Sequence, residues 1–163
     1  MNERAGTFRT RRMTPADLQA VMQIQRGAFT NPWSEDMVKK ELTQDWSTVL
    51  LVEEATAQTT SAPLGFVIFW LVHDELHILN VAVTPEHRRR GAGRVAMESA
   101  LDFGRGHQCR IATLEVRRGN HAAIKLYEVL GFRTVGLRPQ YYADDREDAV
   151  VMVLDFTAAK AEG

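Results

Sequence analysis

The clearest chemistry in the chain lies in the run Arg88-Arg89-Arg90-Gly91-Ala92-Gly93-Arg94. It follows an apolar stretch, Leu76, Ile78, Leu79, Val81, Ala82 and Val83, and precedes the helical pattern VAMESALDFG. Glycines just ahead of a helix let backbone N–H groups approach a ligand closely. The helix N-terminus adds partial positive charge, and the two together form an anion site. Arg88, Arg89, Arg90 and Arg94 surround it with cations, so the physical expectation is a pyrophosphate-binding loop. No Gly-Lys-Ser/Thr follows, so it is not a Walker loop, and the spacing is not G-x-G-x-x-G. A turn, a helix cap and a solvated arginine run would present the same residues with no ligand.

Other groups compete for a role. Glu75 and His77 lie in the central strand, where they read as satisfied strand residues. With His73 and Asp74 they lie close in sequence, but alternation sends strand neighbours to opposite faces, so no metal site is expected. Glu115 is the penultimate residue of the strand-like run CRIATLEV and on residue type alone pairs with Arg117 or Arg118. Tyr127 recurs with Ile124 and Leu130 at helical spacing, as a core residue does. Tyr141 and Tyr142, beside Asp144, Asp145, Glu147 and Asp148, read either as an aromatic, acidic rim for a cationic partner or as a solvated hairpin turn. The single cysteine, Cys109, excludes an internal disulfide framework and fits a reducing compartment; in a strand-like run it reads as a buried, inert thiol.

Positioning these groups requires a packed scaffold, and 163 residues at 45% hydrophobic and 25% charged supply one. A strand is expected over 8–13. A helix then starts at Thr14-Pro15-Ala16-Asp17, carries Leu18, Val21, Met22, Ile24 and Gln25, and ends near Gly27. Asn31-Pro32 breaks the chain, and Ser34 caps a second helix with Glu35 and Asp36 in its first turn. Strands follow over 47–53 and 64–72, joined by the loop 55–62, the least constrained stretch. Thr84-Pro85 ends the central strand, read as buried, and a helix covers 91–105. The next strand spans 109–116. Asn120 caps a helix that closes at Gly131, a good C′ glycine. Strands over 132–137 and 149–156 flank the polar loop 139–148. This alternation implies an α/β fold, with a mixed sheet and helices on both faces.

Net charge of −1 argues against a general nucleic-acid binder. MNERAGTFRTRRM carries no apolar signal core, and no run reaches the roughly 20 apolar residues of a membrane helix. A cytoplasmic protein with no membrane partner is expected.

Arg88-x-x-Gly91-x-Gly93 after N-V-A-V resembles the acyl-coenzyme A loop of the GCN5-related N-acetyltransferases (GNAT). NPWSE at 31–35, LNVAV, LEVRRGNHAAIKLYEVLGF and R-P-Q-Y-Y-x-x-x-x-R-E-D-A together resemble the bacterial RimI-type branch. That branch acetylates the N-terminal alanine of a small-subunit ribosomal protein. The departures are the 55–62 loop, a third arginine before Gly91, and His77.

The resemblance implies one GNAT-like domain over 1–163, with its core at about 8–156 and a frayed tail at 157–163. Its central, mostly antiparallel sheet would have six to seven strands flanked by about four helices. It implies acetyl-CoA as co-substrate and no metal. Glu115 would be general base and Tyr127 the acid that protonates the departing thiolate. Glu75 and His77 would be rival bases. Val81, Ala82 and Val83 would hold the pantetheine arm through backbone groups, and their N–H groups could stabilise the oxyanion. Arg88, Arg89, Arg90, Gly91, Ala92, Gly93 and Arg94 would hold the pyrophosphate, and Asn120 would add a cofactor hydrogen bond to its capping role. Trp33, Tyr141, Tyr142 and Glu147 would line the protein-substrate groove. An acetyltransferase of a small-molecule amine and a non-catalytic acetyl-CoA sensor are the alternatives. Oligomeric state stays open.

Overall fold

The computed structural model describes residues 8–56 and 61–157; the expectations for 57–60 of the loop and 158–163 of the tail lie outside the described residues. Among the described residues the fold is mixed α/β, as expected, with seven strands and four α-helices. The strands are β1 (Phe8–Arg12), β2 (Ser47–Glu54), β3 (Gly65–Val72), β4 (Glu75–Val83), β5 (Ile111–Arg117), β6 (Arg133–Arg138) and β7 (Ala149–Asp155). The helices are α1 (Leu18–Ala28), α2 (Glu35–Glu41), α3 (Ala92–Gly106) and α4 (His121–Val129). The sheet order is β1-β2-β3-β4-β5-β7-β6. β1–β2, β2–β3, β5–β7 and β6–β7 pair antiparallel, and β4–β5 pairs parallel.

The residues group into two compact units, Met1–Trp70 with Asn80–Ala100, and Leu71–Leu79 with Leu101–Gly163. In the first, local signals set the helix starts. The Asp17 carboxylate accepts the Thr14 N–H at 2.9 Å, and Ser34 Oγ accepts the Met37 N–H at 3.2 Å. Helix α1 buries Leu18, Val21, Met22, Ile24 and Gln25 on one stripe. β2 is buried on both faces along nearly its whole length, and Leu51, Phe66, Phe69 and Met97 are fully buried.

This unit also buries a carboxylate. Glu53 receives Arg9 Nε on one oxygen and Arg11 Nε on the other, each at 2.7 Å, and Arg11 forks onto Asp17 at 2.9 Å through both terminal nitrogens. Burial opposes ionisation of Glu53, but the two guanidiniums outweigh it and the net shift is downward. Asp17, held chiefly by Arg11, is lowered to about 2.

In the second unit, β5 alternates half-buried and buried residues, with Ala112, Leu114 and Val116 facing the core beside Met152 and Leu154 of β7. Gly131 closes α4 at φ +107°, a left-handed conformation that a Cβ would strain.

Two expectations are corrected. The central strand is not buried throughout: β4 alternates, with Leu76, Ile78 and Ala82 buried and the intervening residues half-exposed. Cys109 is buried but precedes the strand. Its N–H closes the end of α3 on Gly104 O at 2.9 Å, and β5 begins only at Ile111. Burial pushes its thiol upward, which keeps it protonated.

Glu53→Gln is expected to destabilise the protein by about 3 kcal/mol in urea unfolding, because it removes the buried anion that Arg9 and Arg11 share, although Arg11 keeps Asp17. Asp17 binds its proton more weakly in the native than in the unfolded chain. Its contribution is therefore full above about pH 5 and fades as pH falls through about 4 towards 2. Asp17→Asn should flatten that acid limb in a pH series of unfolding midpoints.

Candidate active site

In the first unit, Thr84 and Pro85 end β4, and a 3-10 turn over Pro85–His87 follows, braced by Thr84 Oγ1 and His87 Nδ1 at 2.7 Å. Arg89 is left-handed at φ +64° and Gly91 at φ +91°, so the chain turns sharply before α3 begins at Ala92. The Val95 N–H is bonded to Gly91 O at 3.0 Å. The N–H groups of the turn before it have no partner in the helix ladder, as at every helix start. That is the geometry an anion needs. Val81 and Val83 are half-buried, and the β4–β5 register ends at Ile78↔Leu114, before Val81.

The arginine run divides. Arg90 lies 3.6 Å from Glu54 and over the Phe8 ring at 5.3 Å. Arg94 pairs one turn ahead with Glu98 at 3.2 Å, and Arg88 Nε donates to Val83 O at 3.3 Å. Arg90 and Arg94 thus make the surface ion pairs that the plainer reading of the run expects. Trp33, expected near a groove, is half-buried, and its backbone N–H donates to the side chain of Gln25.

In the second unit, Glu115 sits on β5 opposite Val151. Its expected partners, Arg117 and Arg118, are engaged elsewhere. Arg138 takes that place, with Nε 2.6 Å from Glu115 Oε2. The contact is an ion pair without hydrogen-bond alignment, and among the described residues this buried oxygen accepts no hydrogen bond. Tyr141 and Tyr142 meet edge-to-face at 5.2 Å between ring centroids. Burial and the Glu115 carboxylate both raise the Tyr141 phenol. Tyr142 is raised to about 12 by burial, against the pull of Arg117 and with help from Glu115. Tyr127, on α4 and packed at 6.0 Å against Phe132, is raised to about 12 by burial and then by Tyr142. One carboxylate therefore stands in the field of neutral phenols. Asn120 caps α4, its Oδ1 accepting the Ala123 N–H at 3.2 Å.

Arg117 takes the place expected for the loop's acidic rim. Its Nη2 bonds both oxygens of Asp144 at 2.9 Å, and its Nη1 reaches Asp145 at 2.9 Å and Glu147 at 3.4 Å. The guanidinium also lies 4.0 Å over the Tyr142 ring. Arg118 holds Asp148 at 3.0 Å, and the Gly119 N–H donates to Glu147 at 2.7 Å. All four acids are thus paired within the chain, on two guanidiniums. Sequence reasoning missed Arg117. The available signal was four carboxylates between 144 and 148 that demanded cations from somewhere.

Glu75 and His77, the rival bases, lie 3.1 Å from one another, and Glu75 also faces Arg110 at 3.6 Å. Among the described residues no group of three or more His, Cys, Asp or Glu is arranged to hold a metal ion.

The Acetyltransferase (GNAT) family matches residues 18–132. A [ribosomal protein bS18]-alanine N-acetyltransferase of Salmonella typhimurium is 38% identical over 144 residues, 87% of this chain and 93% of that protein. The enzyme of the same name from Escherichia coli is 35% identical over 140 residues, 85% and 90%. The crystal structure of the ribosomal-protein-S18-alanine N-acetyltransferase from Escherichia coli superposes with a TM-score of 0.81 at 32% identity, covering 91% of this chain and 93% of that one.

Arg117→Gln should release the 139–148 loop while leaving the fold intact. Hydrogen exchange across 139–148 is expected to quicken at least tenfold, with about 1–2 kcal/mol lost in global stability. Arg94→Gln should change neither.

Proposed function

Because the chain belongs to the GNAT acetyltransferase family, with acetyl-CoA as its acyl donor, we propose that it acetylates the α-amino group of a protein N-terminus. The acceptor in this reading is the N-terminal alanine of a small-subunit ribosomal protein, reached in the cytoplasm by one N-acetyltransferase domain spanning the chain. The observation that carries it is the second-unit cluster: Glu115, whose buried Oε2 accepts no hydrogen bond among the described residues, faces Tyr141 and Tyr142, and Tyr142 in turn neighbours Tyr127. The identity to the two enzymes named above, across most of each chain, selects the acceptor.

Glu115 serves as general base. An α-amino group has a pKa of about 8, so a carboxylate acting directly or through one water is strong enough to take its proton. The amine nitrogen then forms the new bond to the acetyl carbon, and the carbon–sulfur bond breaks. Backbone N–H groups of Val81, Ala82 and Val83 stabilise the oxyanion that forms between these events. Tyr127 delivers its proton to the departing thiolate, and at a pKa of about 12 it stays protonated and neutral throughout the working range. The first turn of α3, with Arg88, Arg89 and their neighbours, binds the pyrophosphate, and Asn120 adds a hydrogen bond to the donor. Trp33, Tyr141, Tyr142 and Glu147 border the acceptor, with Glu147 acting through the loop it anchors to Gly119. Cys109 is buried and protonated, so attack is direct, in a ternary complex, with no acyl-enzyme.

Coenzyme A release distinguishes the readings, with two matched basic peptides as acceptors. One begins with free Ala-Arg; the other has a blocked N-terminus and an internal lysine. Turnover is expected only on the free terminus. Glu115→Gln should lower kcat at least 100-fold with acetyl-CoA binding unchanged. Activity should rise with pH as the amine deprotonates and show no descending limb from Tyr127 below about pH 10. Activity on small amines alone would favour the small-molecule reading. Tight acetyl-CoA binding with no product on any amine would favour a sensor.

A further inference from the structure

Gln25 occupies an apolar slot. It follows Leu18, Val21 and Met22 at spacings of seven, four and three along the buried stripe of α1, and it is fully buried. A buried primary amide is unfavourable unless its donors and acceptor find partners. Here Oε1 accepts the Trp33 N–H at 3.1 Å, and Nε2 donates to Asn80 Oδ1 at 2.6 Å. The backbone of Gln25 also ends the helix, its carbonyl accepting the Phe29 N–H at 3.1 Å. Pro32 has no N–H, and among the described residues no backbone hydrogen bond ties 30–33 to another segment. Asn80 is the residue immediately before Val81, Ala82 and Val83 in β4.

We infer that Gln25 is a positioning residue: it fixes the Trp33 segment to the donor-binding end of β4 and thereby sets affinity for the acceptor, not for acetyl-CoA. This rests on the acceptor role given to Trp33 above. A leucine at 25 would fill the slot and satisfy the apolar stripe, but it would leave the Trp33 N–H and Asn80 without their common partner.

The test combines initial-rate kinetics on the free Ala-Arg peptide with amide hydrogen exchange over 29–37. The variants are Gln25→Leu, Asn80→Leu, the double variant and Asn80→Asp. Gln25→Leu and Asn80→Leu should each raise the peptide KM about tenfold, with kcat and the acetyl-CoA KM within twofold of the parent. The double variant should add nothing further, because both changes break one link. Asn80→Asp keeps an acceptor oxygen and should behave as the parent. Exchange over 29–37 should quicken in both leucine variants. Should Gln25→Leu fail to fold, Asn80→Leu and Asn80→Asp carry the same comparison. An unchanged peptide KM, or peptide and acetyl-CoA KM rising together, overturns the inference. If the parent acetylates no amine, the proposed function has failed on its own and the exchange measurement decides the tether. Quickened exchange with unaltered acetyl-CoA binding supports it, and unaltered exchange overturns it.

Discussion

The Arg117 guanidinium is the interaction on which the second unit's chemistry depends. It sits two residues beyond Glu115 on the same strand face, yet it reaches away from that carboxylate to Asp144, Asp145 and Glu147 and lies flat on Tyr142. A planar fork can satisfy several carboxylates and an aromatic face at once, which an ammonium could not do. Burial opposes its charge, and the hydrogen bonds to Asp144 and Asp145 more than compensate, so its pKa is raised. Two consequences follow. The 139–148 loop is held in place despite carrying four acids within five residues, and its two tyrosines are delivered beside Glu115. Without that neutralisation the loop's own repulsion would work against the same arrangement.

The first unit applies the same rule in its interior. Glu53 lies between two arginines, Gln25 bridges Trp33 and Asn80, and Glu41 accepts Ser47 Oγ–H at 2.7 Å and the Trp70 indole N–H at 2.5 Å. Each group would be unfavourable alone in a low-dielectric core. Satisfied in this way, each ties a helix or an edge strand to a particular partner, a directional constraint that apolar packing does not supply. Two of them, Gln25 at the end of α1 and Glu41 at the end of α2, bracket the connection that carries Trp33.

The arginine run shows how far charge counting reaches. Four cations beside two glycines read as an anion site, and the backbone there runs through left-handed residues at 89 and 91 into a helix start. The side chains do not act as a block. Arg90 belongs to the β1–β2 edge through Phe8 and Glu54, and Arg94 belongs to its own helix through Glu98. Backbone amides, whose direction is fixed by the turn, are the steadier part of such a loop.

What the sequence determined by itself was what near neighbours decide. Thr14-Pro15 and Asp17, Ser34, Asn120 and Gly131 set helix ends through bonds that span three or four residues, and they stand where the residue types require. Apolar alternation placed the strands to within a residue or two, and it failed at Cys109, where the closing bond of α3 competed with the strand. The partners of charged side chains were decided only by tertiary structure. Glu115 meets Arg138 instead of Arg117, because β7 lies between β5 and β6 and the loop after β6 returns over Glu115. Gln25 read as one more residue of an amphipathic stripe, and only the folded chain brings Asn80, 55 positions away, to its amide. A hydrogen bond within one helical turn is dictated by local geometry, whereas a long-range partner is chosen by which strands become neighbours.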